Sequence, residues 1–336
     1  MSAQTTTPTE HAEAPRARRL FSGSAGRNVG LVLALLAIIV VGLITSFDTF
    51  ASFNNALVIL RQASIIGVIS IGMTFVIIAG GIDLSVGAVM ALASVVASIT
   101  VVQDLVDASH WILMVGLALL VGLGAGLING IVVAYGKVAA FIATLAMLTG
   151  ARGLAEIIAN NRTLVVSDSE FLRVMNIDLL GVDILIWIFA LVAAGGWVLL
   201  NRTTFGRRTV AIGGNPEAAR LAGIGVQRHT MWLYALSGVL AGVSAVMILG
   251  RTNAGTSTHG NLYELDAIAA VVVGGTLLSG GRGSIIGTVF GVLIFATLRN
   301  VFVQNNMPSS LQAVAMGLII VVAVLLQQRF AVRQRA

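Results

Sequence analysis

The stretch WILMVGLALLVGLGAGLINGIVV, residues 111–133, contains no charged side chain and decides the fold class. Wound as an α-helix at about 1.5 Å per residue, it reaches about 35 Å, enough to cross the roughly 30 Å hydrocarbon core of a bilayer. A run of that length and purity reads as a membrane span. Lipid is therefore the solvent in which the rest of the chain has to be read.

The pattern repeats on both sides of this run. Apolar runs separated by polar breaks place ten spans at about 29–47, 57–79, 84–102, 111–133, 138–158, 182–200, 229–249, 266–279, 284–299 and 309–327. Composition agrees: 57% of residues are hydrophobic, 10% are charged and the mean hydropathy is +0.97, whereas a soluble domain carries roughly 25% charged residues. The expected fold is all-α, a polytopic transmembrane helical bundle of about ten spans. Eight or nine spans, with a re-entrant segment near residue 80, is the alternative.

An even number of spans puts both termini on one side, and Arg16, Arg18, Arg19 and Arg27 ahead of the first run mark that side as cytoplasmic. With this arrangement 14 of the 20 Lys and Arg fall inside, while ten of the 14 Asp and Glu fall outside. The implied organisation is a polar cytoplasmic tail over 1–27, a transmembrane domain over 28–328 with a long inner loop at 201–228, and a basic cytoplasmic tail over 329–336. The tail and first span read as a signal-anchor rather than a cleaved signal. An outer segment, 160–181, is polar enough to form a small surface cap.

Several function classes are excluded. There is no cysteine, so thiolate metal sites, disulfides and a cysteine nucleophile are absent. The four histidines, His11, His110, His229 and His259, have no ligand spacing. Residues 130–137, GIVVAYGK, carry one residue too many between their glycines to form a phosphate-cradling loop. The basic pI near 10.9 comes from arginines dispersed through short loops with no aromatic platform, which speaks against nucleic acid as a partner. The chain is expected to be no enzyme.

Glycines at four-residue spacing, Gly122/Gly126/Gly130, Gly238/Gly242 and Gly283/Gly287/Gly291, mark helix faces that pack against protein. A weak internal repeat matches GGIDLSVG (80–87) with GGTLLSGG (274–281), pairing Gly80 with Gly274 and Gly81 with Gly275. Asp83 lies just after the first glycine pair. It reads either as the N-cap of the next span or as part of a gate in a translocation path that includes Gly80, Gly81, Ser85, Gly274 and Gly275. Arg152 and Glu156, four apart, are placed to pair on one helix face. Intramembrane carboxylates are otherwise scarce, which argues against a proton- or sodium-coupled carrier.

The inner loop carries GGNPEAARLAG at 213–223. Asn215 and the glycines break the chain, Pro216 suits a first helical turn, Glu217 complements the positive helix end, and Ala218, Ala219, Arg220 and Leu221 are strong helix formers. A short extramembrane helix ending at Gly223 is expected.

That segment resembles the EAA-type coupling loop of ABC importer permeases. AGGIDLSVGAVMAL (79–92), AARLAGI (218–224) with YALSGVLAG (234–242), and YELDAIAAVVVGGTLLSGGRGSIIGTVFGVLI (263–294) resemble signatures of the ribose-type monosaccharide permeases. The resemblance spans roughly residues 30–328. It implies a type II-like ABC importer permease fold in a bacterial cytoplasmic (inner) membrane and a second permease chain as homodimer partner. It also implies a separate ATPase subunit that binds ATP and Mg, leaving no cofactor in this chain, and an external sugar-binding protein. Glu217, Ala218, Ala219, Arg220 and Gly223 are then expected to meet the ATPase, and Arg251, Tyr263, Glu264 and Asp266 the binding protein. Nucleosides and branched-chain amino acids are alternative solutes; a membrane scaffold or an ion-coupled carrier is the alternative class.

Overall fold

The computed structural model describes the backbone of residues 24–333 and the side chains of 29–319, 321 and 322. Most of the tail expected over 1–27, and the last three residues of the expected C-terminal tail, lie outside the described residues. Among the described residues the chain forms fifteen helices and two small two-stranded sheets.

In chain order the first helices are α1 (Ser24–Thr45), α2 (Phe47–Phe50), α3 (Phe53–Ile78), α4 (Val86–Ser98), α5 (Thr100–Asp107), α6 (Ile112–Ala134) and α7 (Ala140–Ala159). A cap follows: β1 (Leu164–Val165), α8 (Ser169–Met175), β2 (Asp178–Leu179) and β3 (Val182–Asp183). Then come α9 (Ile184–Arg202), α10 (Thr204–Gly214), α11 (Pro216–Leu221), α12 (Val226–Thr252), β4 (Ala254–Gly255), α13 (Tyr263–Val273), α14 (Ile285–Gln304) and α15 (Ser309–Arg333).

Six of these helices, α3, α6, α7, α9, α12 and α14, are long and apolar enough to cross a bilayer, and α4 with α5, bent by 54°, makes a seventh if the pair is one broken span. The expected span at 266–279 is the main departure. Helix α13 has only 11 residues before glycine ends it, about 16 Å of rise. That is half a crossing.

Burial separates the centre of the bundle from its rim. In α12, 83% of the most apolar stretch is buried, against 22% in α7 and α9, whose outward leucines and isoleucines face the surroundings. The four-residue glycine spacing explains the centre. Gly122, Gly126 and Gly130 of α6 lie against Gly238, Gly242 and Met231 of α12, so close that a methyl at Gly126 would stand 3.0 Å from the Ala235 Cα. Gly287 and Gly291 bring α14 equally close to Gly274 and Ala270 at the end of α13. Backbone approach of this kind gains dispersion contacts in a medium where the hydrophobic effect does not drive helices together.

The expected cap at 160–181 is present. β1 pairs antiparallel with β4, and β2 with β3 through Leu180 and Gly181, both at positive φ as a two-residue hairpin turn requires. Arg61 on α3 holds it down, its Nε 2.8 Å from Asp183. This end is called the cap face; α10 and α11 lie at the other end.

Candidate functional site

Helices α3 and α13 end in the same way. At each, a glycine adopts a left-handed backbone, Gly80 at φ +85° and Gly275 at φ +89°. The next residue, Gly81 or Thr276, donates its N–H to the carbonyl five back, Val76 or Val271. This closes the helix and frees the chain to turn. The two helix ends share this geometry, but not in the register of the sequence match: Gly80 corresponds to Gly275, not Gly274, and the matched identities fall out of step.

The two breaks touch each other. Gly281 donates its N–H to the Ile78 carbonyl at 2.8 Å. The C-terminus of α10 completes the junction. A Cβ at Gly213 would overlap the Ile78 carbonyl oxygen and stand 2.6 Å from the Gly281 nitrogen, so only glycine fits. Three turns therefore stack backbone on backbone, with little side-chain padding to absorb motion.

Helix α11 starts directly after this junction. Its cap is Asn215, whose side-chain oxygen accepts from the Glu217 and Ala218 N–H groups, both at 3.0 Å. Pro216 takes the first helical turn, and Gly223 at φ +80° lets Ile224 N–H reach the Ala219 carbonyl. Glu217, Ala218, Arg220 and Gly223 face outward. Glu217 and Arg220 pair at 2.6 Å in the open, a contact of small energetic weight. Ala219 departs from the expected outward set: it is 4% exposed and seats the helix against the fold. Leu221, which propensity alone marked only as a helix former, is 88% exposed and is the most conspicuous apolar group on this face.

Asp83 sits just beyond the first break and is buried. It is not the N-cap of α4; that helix begins at Val86 with Ser85 in the cap position. Its Oδ1 accepts from Ser85 N–H at 3.0 Å and Ser85 Oγ at 2.6 Å, and its Oδ2 accepts from Ser237 Oγ on α12 at 2.8 Å. Asn129 on α6 donates to Ser85 Oγ at 2.9 Å, and Tyr234 on α12 donates its hydroxyl to the Ile82 carbonyl at 3.3 Å. The break is thereby tied to α6 and α12 through a buried carboxylate both of whose oxygens accept hydrogen bonds. A cleft of ≈ 140 Å³ lies beside it, lined by Ala79, Gly80, Gly81, Val133, Leu233 and Tyr234. Ser237 and Asn129 were not singled out in the sequence, since nothing local distinguishes them from other polar groups on glycine-rich helices.

At the cap face the expected docking set divides. Arg251 is exposed and Tyr263 half-buried. Glu264 is buried, its Oε2 without a hydrogen-bond partner, and Asp266 is turned in toward Arg299 at 3.0 Å. Neither carboxylate is on an outer surface, because the chain after β4 folds inward. Arg152 is not paired with Glu156; it donates to the carbonyls of Ser257 and His259 on that inward segment. Among the described residues no group of three or more His, Asp and Glu is placed to hold a metal ion.

Comparison with known proteins places this geometry. The family described as branched-chain amino acid transport system / permease component matches residues 55–324. The chain is 40% identical to the ribose import permease protein RbsC of Haemophilus influenzae over 87% of this chain and 90% of the relative. It is also 40% identical to RbsC of Bacillus subtilis over 96% and 98% of the two chains. It is 32% identical to the xylose transport system permease protein XylH of Escherichia coli over 90% and 93%. No solved structure matches it. The chain belongs to this family of transport-system permease components.

Proposed function

We propose that this chain is the membrane-spanning subunit of an ATP-driven importer for a monosaccharide, paired with a second copy of itself in a bacterial cytoplasmic membrane. The observation that carries the coupling is the exposed helix α11, joined through Asn215 to the end of α10, where Gly213 is packed on the Ile78–Gly281 contact between the two breaks. The solute class rests on likeness to ribose and xylose permeases over most of the chain. The family's description favours branched-chain amino acids as the second reading.

In this reading the chain makes ten crossings: α1, α3, the bent pair α4–α5, α6, α7, α9, α12, the segment ending in α13, α14 and α15. Both termini and α11 lie in the cytoplasm. A separate ATPase subunit holds ATP and Mg and grips α11 through Glu217, Ala218, Arg220 and Leu221. When the ATPases close, α11 is displaced and Gly213 pushes on the Ile78–Gly281 contact. The breaks at Gly80 and Gly275 turn, and the Asp83 tie to Ser237 and Asn129 sets how far. A sugar-loaded binding protein meets the cap face near Arg251.

The test uses the chain with its ATPase in proteoliposomes. Adding sugar-loaded binding protein should raise ATP hydrolysis and drive uptake. Uptake that persists without the ATPase and follows a proton or sodium gradient would overturn the reading. Uptake of leucine but of no pentose or hexose would give the second reading its case.

A further inference from the structure

The segment between β4 and α13 descends into the protein alongside α4. Gly255 is packed on Ser94 and Ser98, Ser94 Oγ lies 3.2 Å from His259 Nδ1, and Gly260 is packed on Gly87, its Cβ position 3.0 Å from the Gly87 Cα. Gly255 abuts the Ser94 carbonyl and Gly260 abuts Gly87, seven residues of helix further along α4, so the segment drops about 10 Å. Helix α13, with 11 residues, continues to the glycine break at the opposite end and adds about 16 Å more. The run of turns at 257–262 and the short helix together cover most of the roughly 30 Å of a bilayer core. This accounts for the missing half of the crossing expected at 266–279.

Non-helical backbone at that depth is tolerated only where it is buried in protein or lines water, because hydrocarbon offers its N–H and C=O groups no partner. Part of this segment is buried: Arg152 takes up the Ser257 and His259 carbonyls, and Gly255, Ser257 and Gly260 are packed inside. Thr258 and Asn261 are exposed. Polar side chains on irregular backbone cannot face lipid. Just past them Glu264 is 7% exposed with a carboxylate oxygen lacking a partner, against Gly87.

We infer that residues 256–264 line the water-filled outer half of the translocation passage, and that Thr258, Asn261 and the free oxygen of Glu264 are its contacts for a hydroxyl-bearing solute. Hydroxyl and amide groups donate and accept without imposing a field, and a carboxylate oxygen accepts from a passing hydroxyl. The solute part rests on the importer reading above; the water-lined part does not.

The natural chain has no cysteine, so Thr258→Cys and Asn261→Cys each supply the sole thiol. In the assembled complex with its ATPase, each is exposed from the cap face to a membrane-impermeant anionic methanethiosulfonate. Leu191→Cys, at a position 74% exposed on α9, is the lipid-facing reference. Both passage positions should react roughly tenfold or more faster than the reference, since the reactive thiolate forms in water and not in lipid. Rates no faster than the reference, with and without ATP, would overturn the inference. So would cross-linking of Thr258→Cys between two copies under oxidant with no modification by the reagent, because the segment would then face a partner chain. Labelling does not depend on the solute, so a chain that imports no sugar would sink the importer reading and leave the water-lined passage standing. Glu264→Gln tests the solute contact: uptake should fall roughly tenfold with ATPase binding unchanged, because a neutral amide oxygen accepts a hydroxyl more weakly than a carboxylate oxygen does. Undiminished uptake would remove Glu264 from the passage contacts.

Discussion

Replacing Leu221 by Ser probes the coupling surface with little risk to the fold. The side chain is 88% exposed, so it buries almost nothing within the subunit, and a surface change of this sort alters stability by about 0.5 kcal/mol or less. If the ATPase buries it, the loss is the transfer free energy of a leucine side chain, about 1.5–3 kcal/mol. At about 1.4 kcal/mol per decade, the Kd for the ATPase should rise about ten- to 150-fold. The measurement is equilibrium binding of purified ATPase to the chain in nanodiscs, with the thermal midpoint of both variants as a check that the subunit is unchanged. A Kd altered by less than about twofold, under about 0.5 kcal/mol, would refute the placement of Leu221 at the ATPase contact. Helix α11 would then be a connector whose leucine is exposed by accident of its boundaries.

Three further substitutions, at two positions, test the junction behind α11 and the Asp83 tie at the first break. Gly213→Ala inserts a methyl onto the Ile78 carbonyl and beside the Gly281 nitrogen, which should destabilise the subunit by about 1–3 kcal/mol through overpacking. Uptake should collapse while the ATPase Kd stays at the wild-type value; retained uptake at the wild-type rate would show that the junction transmits nothing. Asp83→Asn keeps an acceptor for the Ser85 groups and lets the Ser237 hydroxyl accept instead of donate, so expression and melting should be near normal. Asp83→Ala leaves Ser85 N–H and the Ser237 hydroxyl buried without their acceptor, a loss of about 1–3 kcal/mol for each unsatisfied group. Equal melting temperatures for the Asn and Ala variants would dismiss the tie described for Asp83.

What the sequence determined by itself is what depends on local order. Uninterrupted apolar runs such as 111–133 specify membrane helices because 3.6-residue winding and bilayer thickness are fixed lengths. Helix α11 was legible for the same reason: Asn215, Pro216, Glu217 and Gly223 act through backbone groups within one or two turns of themselves. The glycine faces of α6 and α12 were legible as faces, since four-residue spacing is periodic. Their partners were not. Only the tertiary structure decided that Asp83, besides its local bonds from Ser85, would be held by Ser237, 154 positions away. Only the tertiary structure turned Glu264 and Asp266 inward and took Arg152 from Glu156 to the carbonyls of Ser257 and His259. These outcomes follow from which surfaces meet when helices pack, and a hydrogen bond across such a meeting leaves no periodic trace in either strand of sequence. The inward course of residues 254–262 is the clearest case. Short, polar and glycine-bearing, they carry every local mark of a solvated loop, and what draws them into the fold is the groove along α4 that Gly87, Ser94 and Ser98 leave open.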